Sequence, residues 1–102
     1  MEGEYKTVMM KPQDKVAVAL ETIPAGATVT VNCEDRATRV TLRDSIEFGH
    51  KFAVSAIGQG EDILKYGEVI GVATQAIQPG EHVHIHNLEG KRGRGDRIVE
   101  AR

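Results

Sequence analysis

A short phrase, Ile-x-x-Gly-x-x-apolar, recurs four times in this chain: Ile23, Gly26 and Val29; Ile46, Gly49 and Phe52; Ile57, Gly60 and Ile63; Ile77, Gly80 and Val83. Each copy sets a buried isoleucine at the end of one segment, a glycine free to take positive φ at a turn, and an apolar residue at the start of the next strand. Pro24 and Pro79 pre-set φ in two of these turns. The copies are unevenly spaced, which makes them recurrent turn chemistry and not a solenoid of fixed period. A compact body of short strands joined by tight turns follows.

The segments between the turns agree. Val16, Val18 and Leu20 alternate with Ala17 and Ala19; Val29, Val31 and Cys33 repeat the alternation; Val40 with Leu42 and Phe52 with Val54 give shorter runs. Residues 69–73 read as a further strand, in which Gly71 marks a bend or a close backbone approach. Only residues 62–66 could make a turn of helix, so the fold class is mainly β, a small barrel-like or clip-like domain with little helix. Residues 1–13 form an N-terminal extension or first edge strand, 14–88 the body, and 89–102 a basic, Gly-rich tail. Lys91, Arg92, Arg94 and Arg97 in that tail are candidates for meeting an acidic partner or anionic substrate.

Composition narrows the functional classes. With 102 residues the chain has room for one domain, and a formal charge of −2 gives it no overall basic character for nucleic acid. Tyr5, Phe48, Phe52 and Tyr66 are too few aromatics for a base-stacking platform. No apolar run approaches the roughly 20 residues that span a bilayer, and the N-terminus lacks the form of a signal peptide. The single Cys33 excludes an internal disulfide and suits a reducing compartment, so a cytoplasmic protein is expected.

Chemistry concentrates in residues 80–88. Read as one extended strand, this stretch points Val83 and Ile85 one way and His82, His84 and His86 the other. Alternate strand positions lie roughly 6–7 Å apart, close enough for two imidazoles to converge on a metal ion or an anion. Solvent-facing histidines on an edge strand would look the same.

Taken together, Gly49-His50-Lys51-Phe52-Ala53, Lys65-Tyr66-Gly67-Glu68-Val69-Ile70-Gly71 and Val83-His84-x-His86-Asn87 resemble the SAF domain of the altronate and galactarate dehydratase family. The resemblance runs from about Asp14 to Asn87, with these elements in family order. It implies a β-clip fold and a lyase that removes water from a sugar acid. Such a reaction needs a base, an acid and a group to hold enediolate charge. The family's iron or manganese dependence implies iron(II) or manganese(II) as that group.

On the resemblance, His84 and His86 are the metal candidates; Lys51, Asn87 and His84 the substrate-binding candidates; Lys65, Tyr66 and His50 the candidates for proton transfer. Each also has an ordinary structural reading: strand lysines, a packed tyrosine, a histidine bonded to a carbonyl. His82 departs from the family pattern and is expected to be exposed. The resemblance further implies that a large catalytic dehydratase subunit completes the site, and exposed strand edges allow a homodimer. A sulfolactate sulfo-lyase small subunit and a non-catalytic SAF-type carbohydrate-binding module are the alternatives. A cupin is disfavoured, because the spacing from Gly80 to His84 is too short and no second motif follows.

Overall fold

The computed structural model describes residues 5–90. Nine short strands lie in this region: β1 (Thr7–Val8), β2 (Val16–Ala19), β3 (Thr28–Cys33), β4 (Arg36–Thr41), β5 (Lys51–Ala53), β6 (Asp62–Lys65), β7 (Glu68–Ala73), β8 (His82–Val83) and β9 (Leu88–Gly90). The described residues contain no helix, and none therefore long and apolar enough to cross a membrane. All pairings are antiparallel: a four-stranded sheet in the order β1-β2-β5-β8, the hairpin β3-β4, and a three-stranded sheet β6-β7-β9.

The four phrases are four copies of one turn. In each, the residue after the glycine donates its backbone N–H to the carbonyl three residues earlier: Ala27 to Pro24, His50 to Glu47, Glu61 to Gly58, Glu81 to Gln78. The glycine holds the third turn position with φ between +86° and +91°, which a side chain resists. Its own N–H reaches out to a neighbouring segment, to Leu42, Ala19, Ala73 and Ala53 in turn, each at 2.8 Å. The isoleucines then pair off. Ile23 and Ile46 exchange two backbone hydrogen bonds, as do Ile57 and Ile77.

This pairing divides the interior into two cores. Ile23 and Ile46 join Ala17, Val29, Leu42 and Phe52 in the first; Ile57 and Ile77 join Val16, Ala53, Ile63 and Val83 in the second. Strand β2 is buried at all four positions because its two faces serve different cores. The alanines that look like a weaker face in the sequence are thus as deeply covered as the valines, whereas Leu20, just past the strand, is exposed.

Three expectations change. Residues 62–66 make strand β6 and the start of a turn, not a helical turn, because Ile63 and its neighbours pair with β7. Residues 89 and 90 belong to β9 and pair with Val72 and Gly71, so the body extends past residue 88. Gly71 makes the close approach expected of it: a Cβ there would strike the carbonyl of Glu89. The rest of the basic tail lies outside the described residues. The third change, at residues 84–87, shapes the candidate site.

Candidate functional site

Strands β5 and β8 pair with Phe52 opposite His82 and Lys51 opposite Val83. Continuing that register by one residue sets His50 across from His84, with His82 diagonal to His50 on the same face. The rings meet accordingly. His50 stacks on His82 and on His84 at centroid separations of 5.1 and 4.9 Å, and His82 stacks on His84 at 5.4 Å. His50 Nδ1 and His82 Nε2 are 2.9 Å apart, and one nitrogen from each of the three rings falls within 4.8 Å of the other two.

The chain does not stay extended to residue 88. Strand β8 ends at Val83, and residues 84–87 fold into a turn closed by Asn87 and Leu88 N–H donating to the His84 carbonyl. Asn87 is the cause. Its side chain is buried, with Oδ1 accepting from the His84 N–H at 3.0 Å and Nδ2 donating to the His82 carbonyl at 2.9 Å. The alternation of Val83 and Ile85 is therefore broken: Val83 is fully buried, but Ile85 is 82% exposed. His86 is carried away from the trio and touches only the His82 ring among the described ring contacts, 5.5 Å off and tilted. Asn87, a substrate-binding candidate in the sequence, is placed as a positioning residue for two histidines.

His82 is half-buried at the centre of the cluster, contrary to its expected exposure. Its backbone N–H donates to Asp44 Oδ2 at 2.9 Å. Burial, and then the neighbouring His50, His84 and His86, push its ring below the usual histidine range against the opposing charge of Asp44. For His84 the causes of a downward shift are burial first, then His50, Lys51 and His86. Both rings are held towards the neutral form, the form that offers a lone pair to an ion.

The lysines form a second group. Burial chiefly, and the charge of Lys65 secondarily, lower Lys51 from the ordinary lysine range, and the charge of Lys51 also reaches His84. Lys51 thus links the histidines electrostatically to Lys65. Tyr66 and Gly67 are the two central residues of the β6-β7 hairpin, both with positive φ, 56° and 81°. Their N–H groups donate to the buried Asp14 carboxylate at 2.9 and 2.8 Å, and Met10 and Lys11 donate to it as well. The Lys65 ammonium sits 4.9 Å from the centroid of the Tyr66 ring. The Lys-Tyr-Gly element is thus first a docked turn, with Tyr66 42% exposed beside a lysine.

The ends of β5 and β8 thus build one histidine cluster, and comparison with known proteins says where such chains occur. Residues 5–91 match the altronate/galactarate dehydratase SAF domain. The chain belongs to this family. It is 39% identical over 77 residues to the (2R)-sulfolactate sulfo-lyase subunit alpha of Chromohalobacter salexigens, an alignment covering 74% of this chain and 82% of that protein. To the altronate dehydratase of Escherichia coli it is 47% identical over 74 residues, 72% of this chain but 14% of the relative. The Bacillus subtilis altronate dehydratase gives 36% over 82 residues, 80% of this chain and 16% of the relative. The SAF domain described here is thus homologous to proteins that are lyases, and it spans a small part of the dehydratases.

Proposed function

We propose that this chain is the SAF subunit of a sugar-acid dehydratase of the altronate/galactarate type, lending its histidine cluster and Lys51 to a site completed by a large catalytic subunit. The observation that carries the reading is the convergence of three imidazoles at one end of β5 and β8, with the half-buried Lys51 near enough for its charge to reach His84, in a member of a lyase family. Relatives of comparable length are named as subunits, which supports a partner.

The chemistry of the donor set suits a divalent ion: half-buried imidazole nitrogens are good ligands for iron(II), while manganese(II) prefers oxygen. When bound, the ion supplies a positive charge to hold the enediolate that forms as the proton beside the carboxylate is removed. Burial and the charge of Lys65 both disfavour the charged form of Lys51, so an anionic substrate carboxylate beside Lys51 relieves that cost. Lys65 and the Tyr66 hydroxyl are the candidates on this chain for moving protons to or from the substrate carbon or the leaving hydroxyl. The cell compartment that fits a free, buried Cys33 is the reducing cytoplasm.

A second reading is favoured by one fact: the sulfo-lyase alpha subunit is matched over 82% of its length. In that case the leaving group is sulfite, and the same residues bind a sulfonated hydroxy acid. The test is an assay of this chain together with the large subunit that co-purifies with it, following both water loss from aldonates and aldarates and sulfite release from sulfolactate. Loss of water, abolished in Lys51→Met, bears out the first reading. Sulfite release transfers the proposal to the second, and neither activity overturns both.

A further inference from the structure

We propose that His50, His82 and His84 form a three-imidazole site, complete on this chain alone, for one divalent transition ion of the zinc, cobalt or iron(II) class. The proposal deepens the lyase reading by giving the ion its ligands on this subunit, before any partner joins. It also replaces the pair suggested by the sequence, His84 with His86, by a trio that includes His50.

Spacing is the first support. Two nitrogens each about 2.0–2.1 Å from one ion stand about 2.9 Å apart at a right angle and about 3.4 Å apart at the tetrahedral angle. His50 Nδ1 and His82 Nε2 are 2.9 Å apart, and one ring nitrogen from each of His50, His82 and His84 lies within 4.8 Å of the other two. Closing that last gap needs a side-chain adjustment of about an ångström, within the softness of an imidazole χ2. A hydrogen bond between His50 and His82 would explain the short distance for one pair. It gives no reason for His84 to stack against both of them.

The backbones under the three rings are the second support, because every one is tied down. His50 donates its N–H to Glu47 and accepts from Ala19; His82 is held by Asp44 on one side and Asn87 on the other; His84 is held by Asn87 and accepts from Asn87 and Leu88 N–H groups. Ligands fixed in this way lose little freedom on binding an ion. The donor set is all nitrogen, which favours zinc, cobalt or iron(II) over magnesium, calcium or manganese(II). Three ligands from one half-buried surface leave open positions for substrate or for a partner's group. His86, exposed and one turn away, is outside the set.

The experiment is a titration of the full untagged chain with cobalt(II) and zinc(II), followed by calorimetry and visible absorption. Expected is one saturable ion per chain, weakened by more than about tenfold in His50→Ala, His82→Ala and His84→Ala and by less than about threefold in His86→Ala, since losing even an outer partner of a ligand costs roughly 10–100-fold. Should an alanine variant misfold, His50→Gln and the unaltered chain still decide the matter. In the latter, paramagnetic cobalt(II) must shift the ring protons of His50, His82 and His84 more than those of His86. No saturable binding below about 1 mM ion, where affinity falls to about 4 kcal/mol, or binding that depends on His86 and not His50, overturns the proposal. Ion binding without activity in the assembled enzyme would sink the lyase reading and leave this site standing; activity without ion binding to the free chain does the reverse.

Discussion

The carboxamide of Asn87 is 1% exposed, and its oxygen and nitrogen are spent on the His84 N–H and the His82 carbonyl. Asn87→Ala leaves both backbone groups without their partner, at about 1–3 kcal/mol for each that water cannot reach. Its urea midpoint is expected to fall clearly below that of the natural chain. Asn87→Asp, which keeps the acceptor for His84 but loses the donor to His82, should fall between the two. Glu61 acts on a turn by charge as well as by bonding. Its carboxylate accepts the Gly58 N–H at 3.0 Å and meets Lys15 Nζ at 3.5 Å, and these contacts, the Gly58 bond foremost, hold it below the usual glutamate range. A carboxyl depressed in the folded state adds stability that is complete above its unfolded value of about 4.3 and is lost as pH falls through the folded value. Thermal unfolding of Glu61→Gln should therefore show a shallower acid decline than the natural chain below about pH 4.3, with only a small deficit at neutral pH because the group is exposed and screened. Equal acid slopes would show that the Glu61 charge contributes nothing.

Turns are where the sequence speaks most clearly and where it also misleads. The four Ile-x-x-Gly-x-x-apolar phrases announce their glycine conformation, their buried isoleucines and the strand that follows, because all of that is local chemistry. Which phrase pairs with which is a long-range fact, and nothing in the spacing says that Ile23 meets Ile46 or that Ile57 meets Ile77. The same limit hid the place of His50, which the sequence offered as a proton-transfer candidate and not as a neighbour of His82 and His84. His50 joins the histidine cluster through the β5-β8 register, which no local pattern encodes. At residues 84–87 the fault lies elsewhere: the alternation of Val83 and Ile85 suggested a strand, while Asn87, a residue prone to bond nearby backbone, closed a turn instead. The glycines provide a graded test of the element. Gly26 and Gly80 share nearly the same φ, +91° and +90°, but a Cβ at Gly26 meets open space and one at Gly80 strikes the Thr41 carbonyl. Gly26→Ala should cost only the left-handed strain, about 1–2 kcal/mol. For Gly80→Ala the loss in a denaturant titration should be distinctly larger, with weakened ion binding, because Gly80 also accepts from Arg43 and leads directly into His82. Equal losses for the two would mean that the Thr41 contact is readily relieved.

At the scale of the whole molecule, strands β2 and β5 form a wall common to both cores. Ala17, Ala19 and Phe52 face the first core; Val16 and Ala53, one residue away in each strand, face the second. Neither core can lose this wall without exposing the other, so the described body should unfold as one cooperative unit despite having two apolar clusters. Phe52 offers the test, being wholly buried in the first core only. Phe52→Ala is expected to cost about 3–5 kcal/mol. Amide exchange then distinguishes shared from separate unfolding. The reciprocal pairs Ile23 with Ile46 and Ile57 with Ile77 place equivalent backbone bonds in the two cores. In a cooperative body, the Ile57 and Ile77 amides lose as much protection on Phe52→Ala as those of Ile23 and Ile46, although the substituted side chain lies in the other cluster. If Ile57 and Ile77 stay protected, the cores open separately. The histidines would then rest on the first core's stability alone through His50, whose carbonyl accepts from Ala19, and on the second's through His82, which adjoins the buried Val83. A ligand set drawn from β5 and β8 keeps its spacing only if these two supports move together, so the exchange pattern bears on the ion site as directly as on folding.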